Sequence, residues 1–346
     1  VGFAFSQLVA GPLSDAFGRR PAALGFLALY LLASLIAAFA PGIEWLVAAR
    51  LLQGIGASAG VAMSRAMVRD LFTGQASARI MTTISLLLSV GPAIAPTIGG
   101  LAMGAFGWQA IFLILAIYSA VNITLVIGMP ETLATRDPSR ARPGRLLRTY
   151  ATILADPHFL QPCSTGATST GSIYTLSTLL PFALIDRVGL TPFQFGVGMM
   201  MQSGSYLVGS MILRQLLRRF RAETMLPFGV GLVMLGAALL AVLLRIADPT
   251  YLSVMGPVAV LAVGASWIQP VATTASMAPF PTAAGSAAAM FGFMQIGGGL
   301  AFSILGSLMA DQVIAIGTVI PIMAAIACAA HVGIGRVNAR RDAQAA

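Results

Sequence analysis

The sequence predicts an all-α polytopic membrane protein. Hydrophobic residues make up 58% of the 346 residues and charged residues 9%, whereas soluble globular domains are roughly one-quarter charged. Apolar runs close to the roughly 20 residues that span a bilayer as a helix recur along the chain, for example at 22–40, 111–129 and 228–244. These runs do not alternate apolar and polar residues as the strands of a membrane barrel do, so helices are expected.

Eleven apolar segments predict about eleven transmembrane helices. Their approximate bounds are 1–12, 22–41, 44–68, 76–103, 107–129, 159–184, 193–216, 225–246, 250–273, 283–310 and 314–335. Five segments precede the longest polar interval and six follow it. Because the chain also opens inside an apolar segment without an initiator Met, we expect one helix to be missing at the front.

The polar interval divides the chain. We expect an N-terminal bundle at 1–129, a cytoplasmic linker at 130–158 with a short surface helix near 146–154, and a C-terminal bundle with a cytoplasmic tail at 159–346. The stretch "GSMILRQLLRRFR" occupies the same place in the second half as "GPLSDAFGRRP" does in the first. Such repeated halves are typical of secondary transporters.

Arginine placement predicts the orientation. Sixteen of the twenty arginines fall in one alternating set of connections or in the C-terminal tail, and two, Arg187 and Arg245, fall in the opposite set. Because cytoplasmic loops carry the excess of arginine, the first set and the C-terminus are predicted to be cytoplasmic. The sequence therefore predicts a multi-pass protein of a bacterial inner membrane.

Several function classes are disfavoured. The net charge of +9 lies at the ends of apolar runs and forms no solvated basic face, so no nucleic-acid partner is expected. The two cysteines and two histidines show no metal or redox spacing, so neither a metal nor a cofactor is expected. No two acids are adjacent, which argues against a metal-dependent transferase with a D-D-x-x-D cluster.

The stretch "GPLSDAFGRRP", residues 11–21, concentrates charge on a predicted tight cytoplasmic turn. Gly11 and Gly18 permit close approach and unusual dihedral angles, and Pro21 suits the first turn of a helix. Arg19 and Arg20 cannot enter hydrocarbon at low cost, while Asp15 can accept hydrogen bonds or pair with an arginine. A plain positive anchor is the competing explanation, although it needs neither the acid nor the glycines.

This stretch resembles the loop signature of the major facilitator superfamily, G-x-L-S-D-x-x-G-R-R-x, at every defined position. The resemblance implies the fold of that family, two six-helix bundles, here without the first helix. It also implies a latch that holds the two halves together on the cytoplasmic side while the protein is open outward. Asp70, in "MVRDLF", lies where the partner acid is expected.

Arg50 is the second notable charge. It opens "RLLQGIGAS", which resembles the R-x-x-Q-G signature of the fourth helix of the superfamily. An arginine inside a membrane span is expensive. It could be structural and bonded to carbonyls, or it could lower the pKa of a nearby carboxyl and ease proton release.

"GPAIAPTIGG" resembles the fifth-helix signature of the drug:proton antiporters. Gly91, Gly99 and Gly100 are expected to let helices touch, and Pro92 and Pro96 to bend the helix. Packing alone could explain the stretch, while the resemblance implies a bend that seals against leak. With "GWQAIF" and "PETL" in the same order, the chain resembles the bicyclomycin and chloramphenicol resistance (Bcr/CflA) branch.

The resemblance implies a substrate cavity between the halves near the middle of the membrane. Candidate lining residues are polar, aromatic or Met side chains embedded in apolar helices, and packing or interhelical hydrogen bonding is the alternative for each. The candidates are Gln53, Met63, Tyr118, Asn122, Tyr174, Thr178, Gln202, Tyr206, Trp267, Gln269 and Gln295. The second half has no charge in mid-membrane, which favours a neutral, cationic or amphipathic substrate.

The expected function is export of small toxic compounds by proton antiport with alternating access, rather than catalysis. Export of a metabolite such as a sugar or amino acid in the same fold remains open, and a non-transporting receptor or scaffold is a remote alternative. The expected partners are the substrate, protons and the lipid bilayer, and the chain is expected to act as a monomer. All eleven acids lie near loops or helix ends, so we expect the titrating carboxyl in the missing first helix.

Overall fold

The computed structural model describes residues 1–72, 74–133, 143–280, 283–338 and 343. These residues form helices and short connections without a strand, which confirms the predicted all-α class. Each of the eleven predicted apolar segments overlaps a helix. A helix, Pro143–Ala155, covers the positions 146–154 where a short surface helix was expected, whereas residues 134–142 of the predicted linker lie outside the described residues.

The chain divides into two compact units. Unit 1 comprises Val1–Leu88 and Leu101–Ala151, and unit 2 comprises Ser89–Gly100 and Thr152–Ala346. The helices that lie in unit 1, in whole or in part, are α1 (Gly2–Phe17), α2 (Arg19–Ala38), α3 (Ile43–Ala57), α4 (Ala59–Leu71), α5 (Gly74–Phe106), α6 (Trp108–Ile127) and α7 (Pro143–Ala155). Helix α5 is continuous, yet its residues 89–100 group with unit 2.

Unit 2 contains the remaining helices of the chain. They are α8 (Pro157–Pro181), α9 (Pro192–Gly198), α10 (Met200–Leu216), α11 (Ala222–Ile246), α12 (Tyr251–Met277), α13 (Ala284–Ser307) and α14 (Gln312–Ala329). Helices α8 and α14 each continue into a π-helical turn, Phe182–Arg187 and Ala330–Ile334. Such turns widen the helix by one residue per turn and recur at functional sites.

Seven helical stretches of the described residues are long and apolar enough to cross a membrane. They correspond to α2, α3 with α4, α6, α11, α12, α13 and α14. The other four predicted segments, at α1, α5, α8 and α9 with α10, do not reach this length and apolar content within the described residues. In α5 the stretch Ile94–Phe106 is apolar but shorter, α1 and α10 have 16 and 17 residues, and α8 is rich in Ser and Thr. The helices of both units carry exposed apolar side chains, such as Leu125 and Phe228, as expected where lipid replaces water.

The core of unit 2 lies around α8, which packs against both α12 and α14. Leu176 and Leu179 of α8, Leu261 of α12, and Ile316 and Ile320 of α14 are all fully buried. Close-packed side chains of this kind resist even small changes of volume. Unit 2 therefore offers a rigid frame for the polar residues that its helices carry.

Polar side chains begin several of these helices. Asp156 accepts a hydrogen bond from the backbone N–H of His158 at the start of α8. Thr191 and Thr250 each form a capping box at the starts of α9 and α12. Asp311 caps α14 through the N–H groups of Val313 and Ile314, which satisfies donors that a helix leaves free at its first turn.

A hydrogen bond joins α7 to α1 at the backbone carbonyl oxygen of Leu8, which Pro12 leaves without its usual helical donor. Pro12 lies inside α1 and has no N–H to donate to Leu8, four residues earlier. The hydroxyl of Tyr150 donates to this Leu8 oxygen at 2.6 Å. Burial raises the pKa of Tyr150 to about 12, so the hydroxyl keeps the proton that this hydrogen bond needs.

Candidate functional site

The turn between α1 and α2 consists of the single residue Gly18. Its φ is 107° and its ψ is 150°, a combination that residues with a Cβ rarely adopt. The expectation of an unusual dihedral is therefore correct for Gly18. Gly11 differs, because it lies inside α1 and an added Cβ would meet no described atom within 4 Å.

Arg19 joins three helices through charge. Its side chain forms ion pairs with Asp15 of α1 and with Asp70 of α4, and the Nε–Oδ2 distance to Asp70 is 3.0 Å. Its Nη1 also donates to the hydroxyl of Ser14. Arg19 is 8% exposed, and a guanidinium out of water is tolerated when its donors are satisfied by carboxylates.

Glu131, which follows α6 and is 112 residues from Arg19 in the sequence, also belongs to this cluster. Its Oε1 accepts from the backbone N–H groups of Arg19 at 2.9 Å, Thr132 at 3.0 Å and Leu133 at 3.1 Å. Gly18, the N-cap of α2, has no side chain, so Glu131 satisfies a donor that the cap cannot. Burial raises the pKa of Glu131, but the hydrogen bonds from these N–H groups and that of Arg20 outweigh it and lower the pKa overall.

Arg19 and Arg20 have different environments. The Nη2 of Arg20 donates to the carbonyl oxygen of Ile127 at 2.6 Å, at the end of α6. A cation is favoured there because the last carbonyls of a helix carry partial negative charge. Among the described contacts it is therefore Arg19 that faces Asp70, while Arg20 fastens α2 to α6.

Arg50 has neutral partners within the described residues. Its Nη1 donates to Oε1 of Gln53 at 2.7 Å, and its guanidinium lies over the ring of Phe112, 5.8 Å from the centroid. Gln53 is 3% exposed and its Nε2 donates to the hydroxyl of Ser34 at 2.8 Å. The positive charge of Arg50 is thus held in place without being neutralised by a carboxylate in these contacts.

The glycines of "GPAIAPTIGG" are not equivalent. A Cβ on Gly100 would lie 2.8 Å from the carbonyl oxygen of Pro192 in α9, whereas Gly91 and Gly99 would meet no described atom within 4 Å. Helix contact was expected at all three and is found at Gly100. α5 runs through Pro92 and Pro96 without interruption, and the side chain of Pro92 lies outside the described residues.

Pro96 contributes to the same contact. A Cβ on Gly196 of α9 would lie 2.5 Å from the carbonyl oxygen of Pro96. Thr97 donates its hydroxyl to the carbonyl oxygen of Gly196 at 3.3 Å. Backbone therefore meets backbone between this part of α5 and α9, which small residues allow in membrane helices.

The remaining candidates of unit 1 do not form one cluster in the described contacts. Met63 is 3% exposed and packs in an apolar cluster with Ala10 and Ala59. Tyr118 is exposed, and Asn122 donates to the carbonyl oxygen of Tyr118 within α6. The described contacts bring none of these three side chains together with Gln53.

Unit 2 brings two of its candidates together. Gln269 accepts at Oε1 from the hydroxyl of Thr170 at 2.8 Å and from Nε2 of Gln295 at 3.0 Å. This links α8, α12 and α13 through one amide oxygen. Thr170 was not among the sequence candidates, since a threonine in an apolar helix more often donates to its own backbone.

The other candidates of unit 2 have separate environments. Trp267 donates its indole N–H to the carbonyl oxygen of Gly209 at 2.9 Å, so it joins α12 to α10. The hydroxyl of Thr178 donates within α8 to the carbonyl oxygen of Tyr174 at 3.2 Å. Tyr206 is half-buried on α10, while Gln202 is buried and its Oε1 has no hydrogen-bond donor among the described residues.

Comparison with known proteins gives a family match. The sequence matches the family model described as Major Facilitator Superfamily over residues 1–306. Multidrug resistance protein D of Escherichia coli (strain K12) is 29% identical over 313 residues, which cover 87% of this chain and 76% of that protein. The bicyclomycin resistance protein homolog of Haemophilus influenzae is 27% identical over 312 residues, which cover 90% and 77%.

A third relative is matched over a shorter region. The uncharacterized MFS-type transporter YdgK of Bacillus subtilis (strain 168) is 35% identical over 217 residues, or 60% of this chain. The match spans about half the length of that protein, 54%. Together these matches confirm the resemblance drawn from the signature stretches, and they indicate a membrane transporter rather than an enzyme.

Proposed function

Since the chain belongs to the major facilitator superfamily, we propose that it exports small amphipathic compounds, neutral or cationic, by proton antiport with alternating access. Two relatives that cover most of the chain carry the names multidrug resistance protein D and bicyclomycin resistance protein homolog. These names support drugs as the substrate class. The proposed location is the inner membrane of a bacterium, with the C-terminus in the cytoplasm, and the proposed state is a monomer.

The observation that carries the proton-coupled part of the proposal is the setting of Arg50. The guanidinium is held by the Gln53 amide and the Phe112 ring, and both of these partners are uncharged. A fixed cation of this kind lowers the pKa of a carboxyl that comes near it, so the carboxyl releases its proton more readily.

The cluster around Arg19 supports alternating access. Arg19, Asp15 and Asp70 come from three different helices and form ion pairs that are largely shielded from solvent. All three residues belong to unit 1, and such pairs are costly to break one at a time. We propose that they hold the turn in the shape that the latch requires. The arginine distribution supports a cytoplasmic position for this latch.

The polar residues of unit 2 support a neutral or cationic substrate. The linked side chains of Thr170, Gln269 and Gln295 carry no charge. The buried Oε1 of Gln202 lacks a donor among the described residues, and a substrate N–H or ammonium group would satisfy it. We propose that these amides, rather than charged groups, orient the substrate. The proposed domain organisation is a bundle at 1–129 and a bundle at 159–346, joined by the linker.

The test is drug susceptibility together with direct flux. The protein, expressed from its complete reading frame in a bacterial strain lacking its own efflux pumps, is expected to raise resistance to ethidium and chloramphenicol. Everted vesicles are expected to accumulate ethidium when a proton gradient is imposed and not after a protonophore is added. Transport of sugars or amino acids in place of these compounds would contradict drug export and support the metabolite alternative.

A further inference from the structure

A directed series of hydrogen bonds runs from Arg50 of α3 into α2. Arg50 donates to Gln53 at 2.7 Å, Gln53 donates to the hydroxyl of Ser34 at 2.8 Å, and Ser34 donates to the carbonyl oxygen of Tyr30 at 2.7 Å. Ser34 is 0% exposed and Gln53 is 3% exposed. Water therefore has little access to the links between the two helices.

The chemistry of the groups allows this direction and no other. A guanidinium has donors and no acceptor, so the Gln53 side chain must present its oxygen to Arg50 and its NH₂ group to Ser34. The hydroxyl of Ser34 must then act as acceptor toward Gln53, and its own proton goes to the Tyr30 carbonyl. The orientation of the Gln53 amide consequently depends on an acceptor at position 34.

The backbones of α2 and α3 keep these groups in register. A Cβ on Gly56, one turn after Gln53, would lie 2.7 Å from the nitrogen of Tyr30 and 2.8 Å from the carbonyl oxygen of Phe26. The two helices therefore touch directly beside the hydrogen-bond series. With the backbones fixed, the side chains of Gln53 and Ser34 have little freedom to find other partners.

We propose that Ser34 is a positioning residue for proton coupling, which holds Arg50 in place through Gln53. This inference rests on the proposed function, because it assumes that Arg50 acts on a proton-carrying group. Ser34 itself touches neither substrate nor proton. Its role is to hold the Gln53 amide in the orientation that positions the Arg50 guanidinium.

Replacement of Ser34 by alanine leaves a buried amide NH₂ without an acceptor. A buried unsatisfied donor is costly, so the Gln53 side chain is expected to rotate and release Arg50. We expect proton-driven ethidium transport to fall by about tenfold in maximal rate, the size of change that loss of a hydrogen bond to a charged or buried group produces. The KM for ethidium is expected to stay unchanged, since Ser34 and Gln53 are both buried and the amides proposed to orient the substrate lie in unit 2.

Ser119 provides a matched control. It is also 0% exposed and also touches α2, where it donates to the carbonyl oxygen of Leu27 at 2.9 Å. Ser119→Ala removes a buried interhelical hydroxyl of the same unit without touching the Arg50 series. It is expected to leave the maximal rate near wild type, and Ser34→Thr, which keeps the hydroxyl, is expected to restore most of the rate.

A second measurement follows Arg50 without any transport. Arg50 is exposed, so its reaction with phenylglyoxal reports its hydrogen bond rather than its burial, because a guanidinium bonded to Gln53 reacts more slowly than a free one. Mass spectrometry of the purified protein gives the modification rate at Arg50 relative to Arg20 as internal reference. Ser34→Ala is expected to raise this ratio severalfold, and Ser119→Ala is expected to leave it unchanged. Gln53→Leu, which removes the same link from the other side, is expected to raise the ratio as well.

The outcomes separate the inference from the proposed function. An equal Arg50 ratio in wild type, Ser34→Ala and Gln53→Leu overturns the positioning role, whatever the transport result. A raised ratio with an unchanged maximal rate also overturns it, because Arg50 would then be free without loss of coupling. If the Arg50 ratio rises in Ser34→Ala but the wild-type protein moves no protons, the result supports the hydrogen-bond series from Arg50 to Ser34. It counts against the proposed antiport.

Discussion

The two units of the chain use polar residues differently. In unit 1 the main polar contacts involve charge: Arg19 lies between Asp15 and Asp70, and Arg50 is held by Gln53. In unit 2 the contacts described away from the helix ends join neutral groups, as at Gln269, or bring backbones together, as at Gly100.

This difference indicates different roles for charged and neutral polar groups. A charge in a membrane protein is far more costly than an amide or a glycine, so it persists where it interacts with another charge or with protons. Amides and close backbone contacts set shape and orient neutral ligands at lower cost. We therefore expect charge substitutions in unit 1 to alter coupling, and substitutions in unit 2 to alter packing or substrate preference.

Arg50 is expected to give the largest effect. Arg50→Ala should reduce proton-driven export by about 100-fold or more, the size of loss that follows removal of one preorganised electrostatic group, because it removes the fixed charge on which the proposed coupling depends. Arg50→Lys should restore part of the rate, since lysine keeps the charge but lacks the planar fork that engages Gln53. Ethidium efflux from cells measures both, with membrane levels checked by immunoblot. Wild-type efflux by Arg50→Ala would remove the basis for treating unit 1 as the coupling unit.

Gly100 and Gly99 provide the sharpest test of packing in unit 2. Gly100→Ala places a methyl group 2.8 Å from a backbone oxygen, so we expect a loss of about 2 kcal/mol in stability from overpacking. Gly99→Ala meets open space and should stay within about 1 kcal/mol of wild type, since alanine favours helix. Thermal unfolding in detergent compares the pair. Equal effects of the two substitutions would show that this contact with α9 does not stabilise the protein.

Asp15→Asn is expected to have a smaller effect on the latch. Arg19 retains Asp70 and Ser14 when the Asp15 charge is lost, so we expect a shift of about 1 kcal/mol toward the inward-open state. A reporter cysteine at Thr178, with Cys163 and Cys328 replaced by alanine, should become less accessible from the periplasmic side. Asp248→Asn, at an exposed loop position, is the control. Unchanged accessibility and unchanged transport together would reject the latch.

Glu131 should show the smallest effect, visible as a pH dependence. Its folded pKa is lowered from the usual 4.5, so the ionised side chain stabilises the folded state above that value. This contribution is lost as pH falls through the lower folded pKa. Glu131→Gln should therefore unfold at a lower temperature than wild type near neutral pH, with the difference vanishing in acid. A difference that stays constant across the range would contradict this role.

The helices and the latch acid could be predicted because their signals are local. Apolar length alone locates the helices, and the spacing in "GPLSDAFGRRP" and "MVRDLF" points to Asp15, Arg19 and Asp70. The breaks at Ser58 and Met199, which divide long apolar segments into α3 with α4 and α9 with α10, carry no such signal. Both residues keep αR backbone angles, so the chain stays close to helical at these two points.

Other parts of the site depend on contacts between distant residues. Nothing in the local sequence distinguishes Arg19 from Arg20, yet one pairs with acids and the other caps α6. Glu131 belongs to the quoted "PETL" stretch, but its hydrogen bond to Arg19 spans 112 residues. In the sequence, Ser34 is one of several small residues in an apolar helix. Its proposed role depends on the hydrogen bond that its hydroxyl accepts from the Gln53 amide on the neighbouring helix.

The coupling role of Arg50 is tested most directly by measuring protons and substrate together. Everted vesicles holding equal amounts of wild-type or Arg50→Ala protein are acidified inside, and chloramphenicol is added while a pH-sensitive dye and radiolabelled chloramphenicol are followed. Wild type is expected to take up chloramphenicol and release protons from the vesicle. Arg50→Ala is expected to release none while still exchanging labelled for unlabelled chloramphenicol in the absence of a gradient. Proton release by Arg50→Ala at the wild-type ratio to substrate would contradict the account.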